Sequence, residues 1–340
     1  MGWQELYDTA SSIVADHKGI LAADESTGTI KKRFDTIGIE STEETRRAYR
    51  NLLFTTEGME DSIGGVILYD ETIRQAADDG TPFAELLAGK GVVPGIKVDT
   101  GAHDMAGFPG EKVTEGLDGL RGRLEEYVEL GARFAKWRAV ITIGDGIPTD
   151  ACLDANAHAL ARYAALCQEA GIVPIVEPEV LMDGGHTVET CDDVTGRTLR
   201  AVFAELYAQD IHLRGTLLKP NMVIAGQDAP AESPPDRVAR LTVHSFLRHV
   251  PALVPGIVFL SGGQSEVEAT ENLNAINRVG GPWPLSFSYG RALQASALQA
   301  WQREPSNVEA AQAAFLHRAR MNALAAAGQW SAELEEAVPA

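Results

Sequence analysis

Eight short apolar runs recur along the chain, with longer amphipathic stretches between them. Successive runs start roughly 30–45 residues apart, which leaves room for a strand, a helix and two loops in each repeat. Short apolar runs of this kind are typical of strands that lie inside a parallel sheet. The runs cover residues 18–26, 63–71, 91–100, 132–143, 171–180, 215–223, 256–265 and 284–292.

Helical patterns are clear in several of the remaining stretches. Residues 151–170 are rich in Ala and Leu and stop at Gly171, a residue type that favours the end of a helix. The same reasoning predicts a helix ahead of the first strand and another near the end of the chain. The further predicted helices cover residues 3–17, 187–210, a stretch that follows Pro234, Pro235 and Asp236 and ends near His249, and 306–328.

Strands that alternate with helices predict a parallel sheet with right-handed crossovers, and eight strands close a (β/α)8 barrel. An open doubly wound sheet is the alternative, but it would normally carry a glycine fingerprint after its first strand. GxGxxG does not occur there, and GxxxxGKS/T occurs nowhere. We therefore predict an α/β, single-domain (β/α)8 TIM barrel over residues 1–340, with strands over 18–292, an extra N-terminal helix and a C-terminal helical tail over 306–340.

Composition narrows the possible partners and the compartment. The 29 basic and 48 acidic residues give a net charge of −19, which argues against nucleic acid or an anionic membrane surface as a main partner. Three cysteines without CxxC spacing favour a reducing compartment. The N-terminus lacks a signal-peptide pattern, and no apolar run reaches the length of a membrane span, so we expect a cytoplasmic protein.

Polar residues collect at the ends of seven of the eight runs. Active sites of (β/α)8 barrels lie at the C-terminal ends of the strands. A structural ion pair would explain any one such residue, but the repeated pattern favours a functional site. Residues two apart in a strand share a face, so Lys136 should point with Arg138 and Glu177 with Glu179. The candidates are Asp24, Ser26, Lys97, Lys136, Arg138, Glu177, Glu179, Lys219, Ser261, Gly262, Ser288, Gly290 and Arg291.

Lys219, followed directly by Pro220, is the most unusual of these residues, because lysine is rarely buried without a partner or a task. A free lysine has a pKa of about 10.4 and is protonated at neutral pH. Burial and a second cation such as Lys136 would favour the neutral amine. A neutral amine can form a Schiff base with a ketone or aldehyde, and the iminium then accepts electrons from a breaking C–C bond. Glu177, Glu179 and Asp24 are the candidates for acid–base catalysis.

Two glycine-containing segments point to phosphate binding. SGGQ follows the seventh run and SYGR the eighth, and they offer backbone N–H groups, serine hydroxyls and Arg291. The loops after strands 7 and 8 are the common phosphate site of these barrels. A simple turn would explain either segment alone, whereas the presence of both favours a phosphate site.

With these motifs, the sequence resembles class I fructose-bisphosphate aldolase along nearly the whole chain. The resemblance implies reversible cleavage of fructose 1,6-bisphosphate to dihydroxyacetone phosphate and glyceraldehyde 3-phosphate, in glycolysis and gluconeogenesis. It implies a lysine Schiff base, no cofactor, no metal and a homotetramer. The matching segments are GILAADESTGTIKKR, GIKVD, FAKWR, IVEPEV, TLLKPNMV, FLSGGQS and FSYGRALQAS.

The resemblance also implies a role for each site residue. Lys219 would form the Schiff base, and Glu177 would be the main acid–base residue, assisted by Glu179, Lys136 and Asp24. Arg138 would lie near the sugar hydroxyls. The residues implied for the phosphate nearest the ketone are Ser261, Gly262, Ser288, Gly290 and Arg291, and those implied for the other phosphate are Ser26, Arg33 and Lys97. Gly263 is implied as a further substrate-binding residue.

Two departures from the family pattern and several alternatives remain. Thr29 stands where the family often has serine, and the chain ends in EEAVPA, without the terminal tyrosine that aids proton transfer in animal members. Another group or water would then move that proton.

A metal-dependent aldolase is disfavoured, because the eight histidines are scattered without an HxxH pair. A transaldolase-like or shorter-sugar aldolase, a preference for fructose 1-phosphate, and a non-catalytic scaffold that binds sugar phosphates or other proteins stay open.

Overall fold

The computed structural model describes residues 2–230 and 233–336. Eight parallel strands close into a barrel, in the order β1-β2-β3-β6-β7-β8-β9-β10, with β10 hydrogen-bonded back to β1. This confirms the predicted (β/α)8 fold. The strands are β1 (Gly19–Ala23), β2 (Ile63–Leu68), β3 (Val93–Lys97), β4 (Gly101–Asp104), β5 (Lys112–Glu115), β6 (Phe134–Ile141), β7 (Val173–Val180), β8 (Leu217–Leu218), β9 (Ile257–Phe259) and β10 (Leu285–Tyr289).

Helices cover the outside of the barrel, one end of it, and the C-terminal part of the chain. They are α1 (Trp3–Ile13), α2 (Thr27–Asp35), α3 (Glu43–Thr55), α4 (Asp70–Ile73), α5 (Phe83–Gly89), α6 (Leu120–Glu129), α7 (Asp150–Glu169), α8 (Val188–Ala208), α9 (Pro235–His249), α10 (Glu266–Val279), α11 (Arg291–Trp301), α12 (Val308–Ala326) and α13 (Ala332–Glu336). Four single-turn 3₁₀ helices cover Ala15–His17, Met59–Asp61, Leu213–Gly215 and Pro305–Asn307. Residues 337–340 of the predicted tail lie outside the described residues.

The inside of the barrel changes from apolar to charged along the strands. One buried cluster joins alternate residues of several strands, among them Ile20, Phe134, Ile175 and Leu217. Helix α1 contributes Leu6, Ala10 and Ile13 to the same cluster, so it closes the N-terminal end of the barrel. Because side chains two apart in a strand share a face, the next inward positions belong to the charged residues at the C-terminal ends.

A larger buried cluster lies between the strands and the surrounding helices and includes Leu21, Trp137, Val176 and Leu218. Trp137 and Tyr163 are fully buried, with ring centroids 5.6 Å apart. Leu21, Trp137, Val176 and Leu218 alternate along their strands with the residues that face the inside of the barrel. Each strand is therefore buried on both faces, which explains why the strands appear in the sequence as continuous apolar runs.

Strand β8 is shorter than the predicted run over 215–223. Its ladder ends after Leu218, because Pro220 has no N–H to donate. The N–H of Lys219 still donates to the carbonyl of Val176 (2.8 Å), and the N–H of Leu260 donates to the carbonyl of Pro220 (3.1 Å). Lys219 is therefore held at the strand end between its two neighbouring strands.

The antiparallel hairpin β4–β5 was not predicted from the sequence. It follows β3 and packs beside β6, where Thr114 donates from its hydroxyl to the carbonyl of Arg138 (2.8 Å) and from its N–H to Asn156 (3.2 Å). Its four-residue strands, GAHD and KVTE, lack a clear apolar alternation, so they gave no strand signal. Across residues 2–230 and 233–336, no helix combines the length and apolarity that crossing a membrane requires.

Candidate active site

A cavity of about 280 Å³ opens at the C-terminal end of the barrel. Its walls come from the ends of seven strands, from α2 and from the start of α11. The lining residues are Ala22, Asp24, Glu25, Ser26, Thr29, Arg33, Lys97, Lys136, Arg138, Glu177, Glu179, Lys219, Leu260, Ser261, Gly262, Ser288, Gly290 and Arg291.

Four charged side chains form a continuous chain on the cavity floor. Nζ of Lys219 lies 3.1 Å from Oε1 of Glu177, and Nζ of Lys136 lies 3.2 Å from Oε2 of the same carboxylate. Lys136 also contacts Oδ2 of Asp24 at 2.7 Å. Lys136, Glu177 and Lys219 are each at most 4% exposed. One buried carboxylate therefore bridges two amines, a geometry suited to moving protons at a carbon bonded to Lys219.

The charges within this chain fix the protonation of two of its members. Burial by itself would raise the pKa of Asp24, but the ammonium of Lys136 and the nearby Lys219 outweigh it and hold that pKa well below its usual range. Burial would lower the pKa of Lys136, but Asp24 and Glu177 outweigh it and raise that pKa. Lys136 is thus a fixed cation beside Glu177, and Asp24 is its fixed counterion.

The predicted facing of side chains two apart is observed on β6 and β7. Arg138 and Glu177 are register partners, and Lys136, Arg138, Glu177 and Glu179 all line the cavity. Nε of Arg138 forms an ion pair with Oε2 of Glu179. The second carboxylate of β7 is therefore paired with a guanidinium, whereas Glu177 is shared between two lysine amines.

The loops after β9 and β10 present hydrogen-bond donors on one side of the cavity. The hydroxyl of Ser288 is buried and has no hydrogen-bond partner among residues 2–230 and 233–336. Gly262 has a φ of +56°, the left-handed region that favours glycine. Gly290 directly precedes α11, so the positive end of that helix faces the cavity, next to the guanidinium of Arg291. The guanidinium of Arg291 and the unpaired hydroxyl of Ser288 make this side of the cavity suited to binding an anion.

The loop after β1 and the end of β3 form a second polar side. The hydroxyl of Ser26 lies 3.1 Å from that of Thr29, and Nζ of Lys97 lies 2.8 Å from Oδ1 of Asp99. Arg33 of α2 also lines the cavity, and its Nη2 lies 3.4 Å from the position that a Cβ atom on Gly290 would take, so its guanidinium stands between the two sides. The cavity therefore has two cationic, hydroxyl-bearing sides with the lysine–glutamate chain between them.

Of the sequence-predicted site residues, the structure brings all but Gly263 to this cavity. Gly263 faces away from it, and its N–H points at the sulfur of Met182 (2.6 Å). A Cβ atom at Gly263 would lie 1.6 Å from Nε2 of Gln227 and 2.6 Å from the sulfur of Met182, so these two side chains would have to move to accept a larger residue. The second glycine of SGGQ thus serves close packing behind the loop.

Glu25 also lines the cavity, although it is not among the site residues predicted from the sequence. It is buried and forms ion pairs with Arg33 and Arg50, and it accepts a hydrogen bond from Nε2 of Gln294 at 3.0 Å. Burial would raise the pKa of Glu25, but the charges of the two arginines outweigh it and lower that pKa. The sequence signal was an additional carboxylate between Asp24 and Ser26, but its partners come from α2, α3 and α11, and the local sequence does not show that these three helices meet at Glu25.

Known proteins are similar to this chain in sequence over nearly its whole length. The family model for class-I fructose-bisphosphate aldolase matches residues 5–339. A probable fructose-bisphosphate aldolase class 1 from Xanthomonas campestris is 58% identical over 332 residues, which cover 97% of this chain and 99% of the relative. The cytosolic fructose-bisphosphate aldolase 4 of Arabidopsis thaliana is 53% identical, over 97% of this chain and 85% of the relative.

A solved structure gives the same result in three dimensions. Fructose-bisphosphate aldolase from Plasmodium falciparum superposes with a TM-score of 0.95 at 51% identity, over 96% of this chain and 95% of that one. The shared fold and the matches over nearly the full length agree with the motifs gathered at the barrel mouth. The chain belongs to the class-I fructose-bisphosphate aldolase family.

Proposed function

We propose that Lys219 is the Schiff-base lysine of this enzyme and Glu177 its main acid–base residue. The family's activity is that of the chain: reversible aldol cleavage of fructose 1,6-bisphosphate to dihydroxyacetone phosphate and glyceraldehyde 3-phosphate, through a lysine Schiff base and without a metal, in glycolysis and gluconeogenesis. The observation that carries the assignment is the 3.1 Å contact between the buried Nζ of Lys219 and Oε1 of Glu177.

The chemistry needs a proton donor and acceptor beside the amine. Glu177 first takes a proton from the ammonium of Lys219, and the neutral Nζ then attacks the C2 carbonyl. The carbonyl oxygen takes up the proton that the attacking nitrogen loses, and Glu177 gives its own proton to the resulting hydroxyl, which leaves as water. A carboxylate then accepts the proton of the C4 hydroxyl, and the electrons of the C3–C4 bond move into the iminium. Glyceraldehyde 3-phosphate leaves, the enamine carbon takes up a proton, and water releases dihydroxyacetone phosphate from Lys219.

Lys136, Asp24 and Glu179 have supporting roles in this proposal. Lys136 stays cationic because Asp24 and Glu177 are its neighbours, and it stabilises the negative charge that Glu177 carries after giving up its proton. Glu179 assists near the breaking bond and holds Arg138, which faces the sugar hydroxyls.

The two cationic sides fit a substrate with a phosphate at each end. The phosphate nearest the ketone would bind Ser261, Gly262, Ser288, Gly290 and Arg291, because this side combines helix-end N–H groups with a guanidinium. The other phosphate would bind Ser26, Arg33 and Lys97. A transaldolase-like or shorter-sugar substrate would leave one side unused, so the bisphosphate is the better fit.

The activity is tested by a coupled cleavage assay on the purified protein with fructose 1,6-bisphosphate, with and without EDTA. We expect equal rates, because a Schiff base supplies the electron sink that a metal supplies in other aldolases. Loss of activity in EDTA, restored by a divalent metal, would contradict the lysine mechanism. Absence of turnover with any sugar phosphate would favour a non-catalytic sugar-phosphate-binding protein.

Removal of the guanidinium at Arg291 tests the phosphate assignment. We expect Arg291→Ala to raise KM about 10- to 100-fold for both fructose 1,6-bisphosphate and fructose 1-phosphate, because a charge-assisted hydrogen bond contributes about 1.5–3 kcal/mol. Steady-state kinetics with both substrates measures the effect. Arg320→Ala, an exposed change on α12, is the control. An unchanged KM for fructose 1-phosphate would place Arg291 on the other phosphate.

The compartment and the assembly are also proposals. We place the protein in the cytoplasm, in agreement with the cytosolic Arabidopsis relative, and we propose one functional domain over residues 1–340. We propose a homotetramer, as the family resemblance implies. Sedimentation equilibrium of the full chain, with a monomer mass of 36.4 kDa, would give the assembly directly.

A further inference from the structure

Glu25 sits at the centre of a buried polar cluster beside the cavity. Oε1 accepts hydrogen bonds from Arg33 and from Nε2 of Gln294 (3.0 Å), and Oε2 accepts one from Arg50. Nε2 of Gln294 also donates to the carbonyl of Ala22 at 2.9 Å. The carboxylate thereby ties together the end of β1 and the helices α2, α3 and α11.

The two arginines of this cluster differ in their surroundings. Arg50 is 3% exposed, its Nη1 lies 3.3 Å from Oε1 of Gln294, and its guanidinium lies 5.8 Å from the ring centroid of Tyr49. The Arg33 side chain is 24% exposed and lines the cavity. The guanidinium of Arg33 lies against Gly290, because a Cβ atom added to this glycine would be 3.4 Å from Nη2 of Arg33. Arg50 is therefore enclosed by protein, whereas Arg33 turns one edge of its guanidinium to Glu25 and another to the cavity.

The charges of Glu25, Arg33 and Arg50 show which of the two arginines the carboxylate neutralises. Two guanidinium groups share one carboxylate, so the cluster carries a net positive charge. Arg50 cannot reach solvent, and a buried cation needs a nearby anion, so Glu25 is its counterion. The uncompensated charge then belongs to Arg33, at the cavity wall, where an anionic substrate group would be its second partner.

We propose that Glu25 is a positioning residue for the phosphate remote from the ketone. It fixes the guanidinium of Arg33 in the orientation that binds this phosphate, and Arg50 and Gln294 in turn fix Glu25. This inference deepens the proposed function and rests on it. Arginine side chains have many rotamers, and holding one in place before binding removes an entropy cost that the substrate would otherwise meet.

A purely electrostatic role and a positioning role of Glu25 predict opposite changes in KM when Glu25 becomes neutral. A carboxylate near a phosphate repels it, so electrostatics alone predicts tighter binding when Glu25 becomes neutral. Positioning predicts weaker binding, because Arg33 loses the partner that orients it. The direction of the change in KM therefore decides between the two.

The test compares Glu25→Gln and the double variant Glu25→Gln/Arg50→Met with the wild-type enzyme, using fructose 1,6-bisphosphate and fructose 1-phosphate. The double variant removes the buried charges together, a replacement that is often tolerated when the substituted residues pack well. We expect KM for the bisphosphate to rise at least about tenfold, with kcat within about threefold of wild type. KM for fructose 1-phosphate, which lacks the remote phosphate, should stay within about twofold.

A matched control shows whether the change in KM is specific to the ion pair of Glu25. Glu71→Gln/Arg46→Met removes another ion pair of α3, in which Arg46 Nε lies 2.7 Å from Glu71 Oε1, outside the cavity lining. It should change neither KM. An unchanged or lower KM for the bisphosphate in both Glu25 variants overturns the inference, and so does an equal rise for the two substrates. Borohydride trapping of dihydroxyacetone phosphate on Lys219 in the wild type tests the proposed function separately, so the two failures are distinguishable.

Discussion

Replacement of Lys219 by alanine is expected to reduce cleavage of fructose 1,6-bisphosphate by about 10⁴-fold or more, because no other group can supply the covalent electron sink. Sodium borohydride with dihydroxyacetone phosphate should add a reduced adduct to Lys219 in the wild type, located by peptide mass spectrometry. The Lys219→Ala variant should acquire none. Steady-state rates and the adduct mass together measure the effect.

The fold should survive this change, which makes the loss of activity interpretable. Glu177 keeps its contact with Lys136 (3.2 Å), so its charge stays paired when Lys219 is removed. Lys90→Ala, at a half-buried lysine paired with Glu60, is the control and should retain both activity and the adduct. Normal turnover without any adduct at Lys219, or an adduct that moves to another lysine with activity intact, would contradict the assignment.

The barrel could be predicted because its constraints are local. Each strand is buried on both faces, so each appears as a short apolar run, and the count of eight selects closure. The site could be predicted for the same reason. Residues such as Lys136 and Arg138 continue the inward face of β6 beyond Phe134, and the two-residue period places them at the mouth without knowledge of the helices.

The features of the site that the sequence did not predict depend on contacts between segments that are distant in the chain. Glu25 pairs with Arg33, which is 8 residues away, but its other partners, Arg50 and Gln294, are 25 and 269 residues away. The local sequence does not show that these groups meet in the core. Gly262 and Gly263 are adjacent and identical, yet one lines the cavity and the other packs against Met182. Only the path of the loop separates these two roles, and that path is set by tertiary packing.

Replacement of Glu177 by glutamine is expected to lower kcat about 10²- to 10⁴-fold, the usual contribution of a positioned general acid–base group. Glutamine keeps the shape of the side chain but can neither give nor accept the proton that carbinolamine dehydration and C–C cleavage require. Both steps pass through atoms bonded to or near Lys219, whose Nζ lies 3.1 Å from Oε1 of Glu177. Stopped-flow measurement of glyceraldehyde 3-phosphate release, with rapid-quench borohydride trapping, separates adduct formation from cleavage.

Glu179→Gln is the comparison that gives this result its meaning. Its carboxylate lies two residues further along β7 and is paired with Arg138, so we expect a loss of only about tenfold. If both variants lost activity equally, the proton transfer would belong to the pair of carboxylates. If Glu177→Gln kept more than about a tenth of the wild-type kcat, the proton would have to travel through another group, and Glu177 would be limited to holding Lys136 and Lys219 in place.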